Sequence, residues 1–215
     1  GSGEGEASGD DANAKRHIFQ FSDEMADSVV NRLWDKAIKD SIAAAERVQN
    51  IKSELTDNFQ KLVIEKPEIE ELLESIKFEL TDEGLRIELI ESQESLFFEI
   101  GSSNLKSKAV DLLKSLGNEL GKLPNHIEIE GHTDSRGYSG QSKYSNWELS
   151  ADRANSARRV LDNSGLWEGQ VTKVTGFADR KLRKKDNPFD TENRRVSILI
   201  KYMSTDNFLP TAGNQ

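Results

Sequence analysis

Apolar residues recur along this chain with two periods, and the switch between them outlines the fold. From Ser22 to Leu62 they run Val30, Trp34, Ala37/Ile38, Ala45, Val48, Ile51, Leu55, Phe59 and Leu62. The later steps are 3, 4, 4 and 3, the spacing of a narrow helix seam. Ser22, followed by Asp23 and Glu24, supplies an N-terminal cap and an acidic first turn. Two arrangements fit this helix: packing on its own domain, or a dimer-forming spacer between membrane and domain. Pro67 then predicts the first turn of a short helix over Glu68 to Ile76. After it the period falls to two. Phe78 to Leu80 and Leu85 to Ile90 read as strands joined by a turn at Thr81 to Gly84. Leu105, Ala109, Leu112/Leu113, Leu116 and Leu120 form a helix stripe of core residues, closed near Gly121 and Pro124. Ile127 and Ile129 alternate with Glu128 and Glu130, a half-buried strand that runs into Gly131. A helix follows from about Ser145 to Asn163, then strands at Val171 to Phe177 and Asn193 to Tyr202.

That order predicts an α+β domain, with helices on one face of a small mixed β-sheet, preceded by a long N-terminal helix. Residues 1–21 carry little to bury and are expected to be a disordered linker. Residues 22–66 form the helical linker or dimerisation segment, 67–203 the domain, and 204–215 a flexible tail.

Charge narrows the function. A net charge of −9 over 215 residues argues against a nucleic-acid partner or an anionic membrane surface, both of which need basic patches. The chain has no cysteine, so it holds neither a disulfide framework nor a thiol nucleophile. No apolar run is long enough to cross a bilayer. The opening Gly1-Ser2-Gly3 reads as the edge of a soluble fragment, from which any membrane anchor would be missing.

The candidate chemistry lies between Ile127 and Arg153. Ser145 and Glu148 have capping-box spacing, and Tyr144 and Leu149 the spacing of a hydrophobic staple. Asn146, Leu149/Ser150 and Arg153 then share one helix face. Asn146 sits in the first turn, where free N–H groups and the helix dipole favour an anion. Arg153 offers a planar fork suited to a carboxylate. Asp134 leaves the strand end opposite. If strand and helix pack side by side, the two charges face one cleft that suits a zwitterion. They fit equally well a structural ion pair of little energetic weight.

Gly131-His132-Thr133-Asp134, Asn146-x-x-Leu149-Ser150-x-x-Arg153-Ala154 and Asn193-Arg194-Arg195-Val196 together resemble the OmpA-like peptidoglycan-binding domain. The string Tyr144 to Asn155, and Gly84-Leu85-Arg86-Ile87 leading to Glu91-Ser92-Gln93, resemble its flagellar stator branch, the MotB proteins. The resemblance covers about residues 46 to 202. It implies a two-layer domain that grips diaminopimelate in the peptide stem of peptidoglycan. Asp134 and Arg153 would hold its amino and carboxylate ends, with Thr133, Asn146 and Leu149 beside them. It also implies the periplasmic part of an inner-membrane-anchored protein, a homodimer, and a MotA-like membrane partner. The linker segment would regulate anchoring. A cell-wall tether of a non-flagellar envelope complex is the alternative. The loop Ser135 to Lys143 is longer than in outer-membrane members and is predicted to cover part of the cleft mouth.

Other chemistry is weaker. His132 and Asp134 form an H-x-D, but three histidines and no cysteine leave too few ligands for a zinc site. No Ser-His-Asp order or nucleophile elbow stands out, and acidic residues are too plentiful for a chance pair to mark a glycosidase. Neither an enzyme nor a cofactor site is predicted. The basic loop Arg180 to Lys185 reads as solvated, or else as a second contact to acidic wall groups. Trp147 and Trp167 are candidates to stack on sugar rings, although Trp147, beside the cap, is expected to be packed.

Overall fold

The computed structural model describes residues 49–137 and 143–202, with scattered helical positions between 32 and 47. The expected linker 1–21, the tail from 204 onward and the centre of the Ser135 to Lys143 loop lie outside the described residues.

Helix α1 is described over residues 49–65. Its seam turns inward: Ile51, Leu55 and Phe59 are buried in the domain core. Phe59 meets Phe78 with ring centroids 6.5 Å apart. Over this stretch the helix therefore packs on its own domain.

The short helix after Pro67 differs from its predicted Glu68 to Ile76 span. A 3-10 turn, Pro67–Ile69, leads into α2 (Glu70–Glu74), and Ile76 already belongs to β1 (Ile76–Thr81). Ile76, Phe78 and Leu80 continue a period of two, and pairing with β2 (Gly84–Ile90) decides the outcome. Gly84, at φ 150°, makes the turn. Next come α3 (Ser107–Leu120), β3 (Ile127–His132), α4 (Asn146–Asp162), β4 (Val171–Gly176), a second 3-10 turn (Thr191–Asn193) and β5 (Arg195–Lys201). The sheet order is β1-β2-β5-β3-β4. Only the β3–β4 pair is parallel, as a strand–helix–strand crossover requires.

One face of the sheet carries the core. Leu85, Ile87, Leu89, Ile127, Ile129, Val196, Ile198 and Ile200 pack against the leucine stripe of α3 and against Ala154, Ala157 and Leu161 of α4. The other face is polar by alternation, yet much of it is buried. Glu88 is 3% and Arg195 8% exposed. The loop between β4 and the second 3-10 turn explains this. Its Arg183 pairs with Glu88 and with Glu192, and Lys181 lies 3.7 Å from the Phe177 ring centroid. The basic loop is thus mostly exposed, but part of it reaches back onto the sheet.

On this face His132 beside it and Arg86, against the effect of burial, hold the Glu130 carboxyl down to about 2. His132 Nε2 is 3.6 Å from Glu130, longer than a hydrogen bond, so the Arg86 contact at 2.7 Å is the firmer of the two. Burial pushes the His132 imidazole down, which keeps it neutral and stacked on Phe177. Both shifts have the same sign. Glu130 stabilises the fold above about pH 4.5 and loses that contribution as pH falls towards 2. Buried neutral His132 begins to lose its own below pH 6.5. Glu130→Gln is expected to reduce stability at pH 7 by about 2 kcal/mol, with the gap from wild type narrowing below pH 4.5 and closing only as pH falls to about 2. Urea unfolding at the two pH values checks this.

Candidate functional site

The site is assembled by two glycines. Gly131 of β3 and Gly176 of β4 are paired neighbours in the sheet. A Cβ on Gly131 would lie 1.9 Å from the Ser150 carbonyl oxygen, and one on Gly176 would lie 2.6 Å from Ala151 N. The backbone of α4 therefore rests directly on β3 and β4. Its start is fixed by the expected capping box: Ser145 Oγ accepts from Trp147 N at 3.2 Å, and Glu148 Oε2 accepts from Ser145 N at 2.8 Å. Ser150 Oγ accepts from Ala178 N at 3.0 Å, which ties the loop after β4 to the same turn.

This seating brings all five predicted site residues to one cleft. Thr133, Asp134, Asn146, Leu149 and Arg153 line a space of about 370 Å³, together with Ile100, Gly101, Arg136, Gly137 and Arg194. Larger grooves exist elsewhere, but none gathers opposite charges with the predicted residues. Asp134 is 5% and Arg153 6% exposed. Among the described residues they do not pair with each other. Asp134 Oδ2 is 3.0 Å from Arg136 Nη1 and 3.9 Å from Arg194 Nε. Arg153 Nε donates to Ser102 O at 2.9 Å, and its guanidinium lies 5.0 Å from the Phe98 ring centroid. The simple ion pair that the sequence left open is not formed.

Behind the cleft stands Glu91, 4% exposed, whose Oε1 accepts from Phe98 N at 2.9 Å. Burial pushes its carboxyl up, against the backbone bond from Phe98 and the nearby Arg153. Burial likewise pushes the Arg153 guanidinium down, Glu91 opposing. Arginine nevertheless keeps its charge.

Two predicted roles change. The Asn146 amide donates to the carbonyls of Asp134 at 3.2 Å and Arg136 at 2.9 Å. It therefore positions the Asp134 turn. The capping box also occupies first-turn N–H groups of α4, which leaves the guanidiniums as the main anion-holding groups. Arg194 went unnoticed as a cleft residue. In sequence it is one of two adjacent arginines at the start of a strand; their alternation puts Arg195 on the outer face and Arg194 toward the cleft. Arg194 donates through one terminal NH₂ to Ser92 O at 2.7 Å, while its buried Nε has no hydrogen-bond acceptor. Thr133 Oγ1 is likewise buried without a partner. Unsatisfied polar atoms at a cleft wall are available to a ligand. Trp147, expected to be packed, is 49% exposed. Its helix cap fixes the backbone and leaves the ring outside the core.

A parallel β3–α4–β4 unit with an acidic strand end facing an arginine two turns into the helix defines the class. Residues 97–196 match the OmpA family, and this part of the chain is an OmpA-family domain. Over 147 residues the chain is 40% identical to Motility protein B of Escherichia coli strain K12, covering 68% of this chain and 48% of that protein. The chain thus spans about half the length of this relative. A putative MotB-like protein from Desulfovibrio vulgaris has the same fold, with a TM-score of 0.58 at 21% identity, over 74% of this chain and 96% of that one. The periplasmic domain of Helicobacter pylori MotB gives 0.54 at 23% identity, over 65% and 87%.

Proposed function

We propose that this chain is the wall-anchoring part of a flagellar stator protein, and that its cleft binds the diaminopimelate side chain of the peptidoglycan stem peptide. The observation that carries this reading is the pair of buried, opposite charges that share one cleft without pairing with each other. Asp134 is met by the exposed Arg136 and, at 3.9 Å, by Arg194, while Arg153 meets only a carbonyl and a ring; a zwitterionic ligand supplies an ammonium that can displace Arg136 and the carboxylate that Arg153 lacks. Asp134 takes the ammonium. Arg153, with Arg194 beside it, takes the carboxylate. Thr133 and Leu149 line the space between, and Asn146 holds the turn that carries Asp134. The chain is a binder and not an enzyme. The family match and the likeness to Motility protein B support a periplasmic domain of an inner-membrane-anchored protein. A homodimer and a MotA-like membrane partner belong to the same proposal, as does a regulating segment over residues 22–66 ahead of a domain over 67–203.

Co-sedimentation with purified sacculi tests the reading. Diaminopimelate-type wall is expected to pull the protein down, and free diaminopimelate peptide to release it. Lysine-type wall lacks the terminal carboxylate and is expected to bind poorly; equal binding to both walls would remove Arg153 from its role. Arg136 adds a further expectation. Its side chain is 55% exposed and occupies the place of the incoming ammonium. Such a pair is weak and yields to solvent. Arg136→Ala is expected to raise peptide affinity about two- to fivefold in a calorimetric titration.

A further inference from the structure

Trp147 follows Asn146, which lines the cleft, and their Cα atoms are about 3.8 Å apart. A tryptophan is the side chain with most to gain from burial, yet this one is 49% exposed. It is not loosely held. Ser150 Oγ donates to Trp147 O at 3.0 Å and accepts from Ala178 N, so the first turn of α4 and the loop after β4 are locked together. That loop places the Arg180 guanidinium 6.0 Å from the Trp147 ring centroid. Among the described residues no acceptor meets the Trp147 indole N–H. Trp167 makes the contrast. It lies before β4, its indole N–H donates to Leu123 O at 3.1 Å, and its ring meets His126 at 5.3 Å. Trp167 is used within the fold, whereas Trp147 presents a half-exposed ring and a donor that no acceptor among the described residues meets.

We propose that Trp147, with Arg180 beside it, forms a carbohydrate subsite that stacks against an N-acetylated sugar of the glycan strand. It rests on the peptide reading of the cleft. The axial C–H groups of a pyranose carry partial positive charge and suit the electron-rich face of an indole. The indole N–H and the guanidinium are donors for hydroxyl and acetamido oxygens. Reach is compatible. In the stem peptide, two residues and a lactyl group separate diaminopimelate from its sugar, about 10 Å when extended. A ligand held at Asp134 and Arg153 can therefore bring its sugar to the adjoining position on α4.

Two ligands test the subsite on the whole chain by calorimetry: the bare diaminopimelate stem peptide, and the same peptide on its disaccharide. Wild type is expected to bind the disaccharide-peptide about three- to tenfold more tightly. Trp147→Ala is expected to lose that difference and keep the bare-peptide affinity, while Trp147→Phe keeps part of it. Asp134→Asn is expected to lose both ligands. Equal wild-type affinity for the two ligands overturns the subsite, and so does an equal loss for both in Trp147→Ala. A peptide-free N-acetylglucosamine tetramer separates the two readings, followed through the emission that Trp147→Phe removes. If the peptide does not bind but the tetramer shifts that emission, the cleft reading fails and the subsite stands. If no sugar-bearing ligand perturbs it, the subsite falls.

Discussion

Asp134→Asn and Arg153→Ala are each expected to lower affinity for diaminopimelate peptide at least about 30-fold, and to bring sedimentation with sacculi down to background. The two substitutions act differently. Asparagine keeps the shape of Asp134 and an acceptor for Arg136 N, which now bonds Oδ1 at 3.0 Å. It removes only the charge that faces the ammonium, so the fold should be unchanged. Alanine at Arg153 removes the fork, the contact with Phe98 and the bond to Ser102 O. It also leaves Arg194 alone to offset the charge of buried Glu91, so some stability is lost with binding. Arg153→Lys separates these effects, because it keeps a charge without the planar fork. Its affinity is expected to fall between wild type and alanine. Thermal unfolding of each variant checks that the protein is folded. A folded Asp134→Asn that sediments like wild type would sink the clamp.

Gly131→Ala is expected to destabilise the domain by about 3 kcal/mol or more, lowering Tm by roughly 10 °C, and to abolish binding with it. The added Cβ meets the Ser150 carbonyl oxygen at 1.9 Å and its carbon at 2.7 Å. Both are backbone atoms of a helix interior, so no rotamer change relieves the clash. Helix α4 has to lift from β3, and Arg153, one turn further on, lifts with it. Gly137→Ala is the control. Nothing lies within 4 Å of its added Cβ, and its stability should stay within about 0.5 kcal/mol of wild type. Differential scanning calorimetry on both variants distinguishes a seat for the helix from a general intolerance of larger residues in this region.

Local signals carried much of the fold. The leucine stripe of α3, the alternation in β2, β3 and β5, and the Ser145–Glu148 box all depend on neighbours within about one turn or strand. For the same reason one helix face showed that Asn146, Leu149 and Arg153 belong together. Failures came where distant chain decides the outcome. Ile76 left its expected helix because β2 offers it a partner. Glu88 and Arg195 alternate like surface residues, yet a loop that follows β4 covers them. Arg194 enters the cleft only because β5 lies between β2 and β3, an order no local pattern encodes. The contact between Gly131 and Ser150 is similarly invisible in sequence, where Gly131 looks only like the end of a strand.

The seam of α1 has a mechanical consequence. The helix joins the domain on the β1 side of the sheet, through Ile51, Leu55, Phe59 and the Lys66–Asp111 pair, whereas the cleft belongs to β3 and α4. Tension applied ahead of residue 49 and resisted at the cleft must pass through that handful of side chains before it reaches the sheet. The ion pair is partly exposed and weak. Under load α1 should peel away first and pay out tens of ångströms of tether while the hydrogen-bonded sheet and its grip stay whole. The helix is then a fuse in series with the anchor.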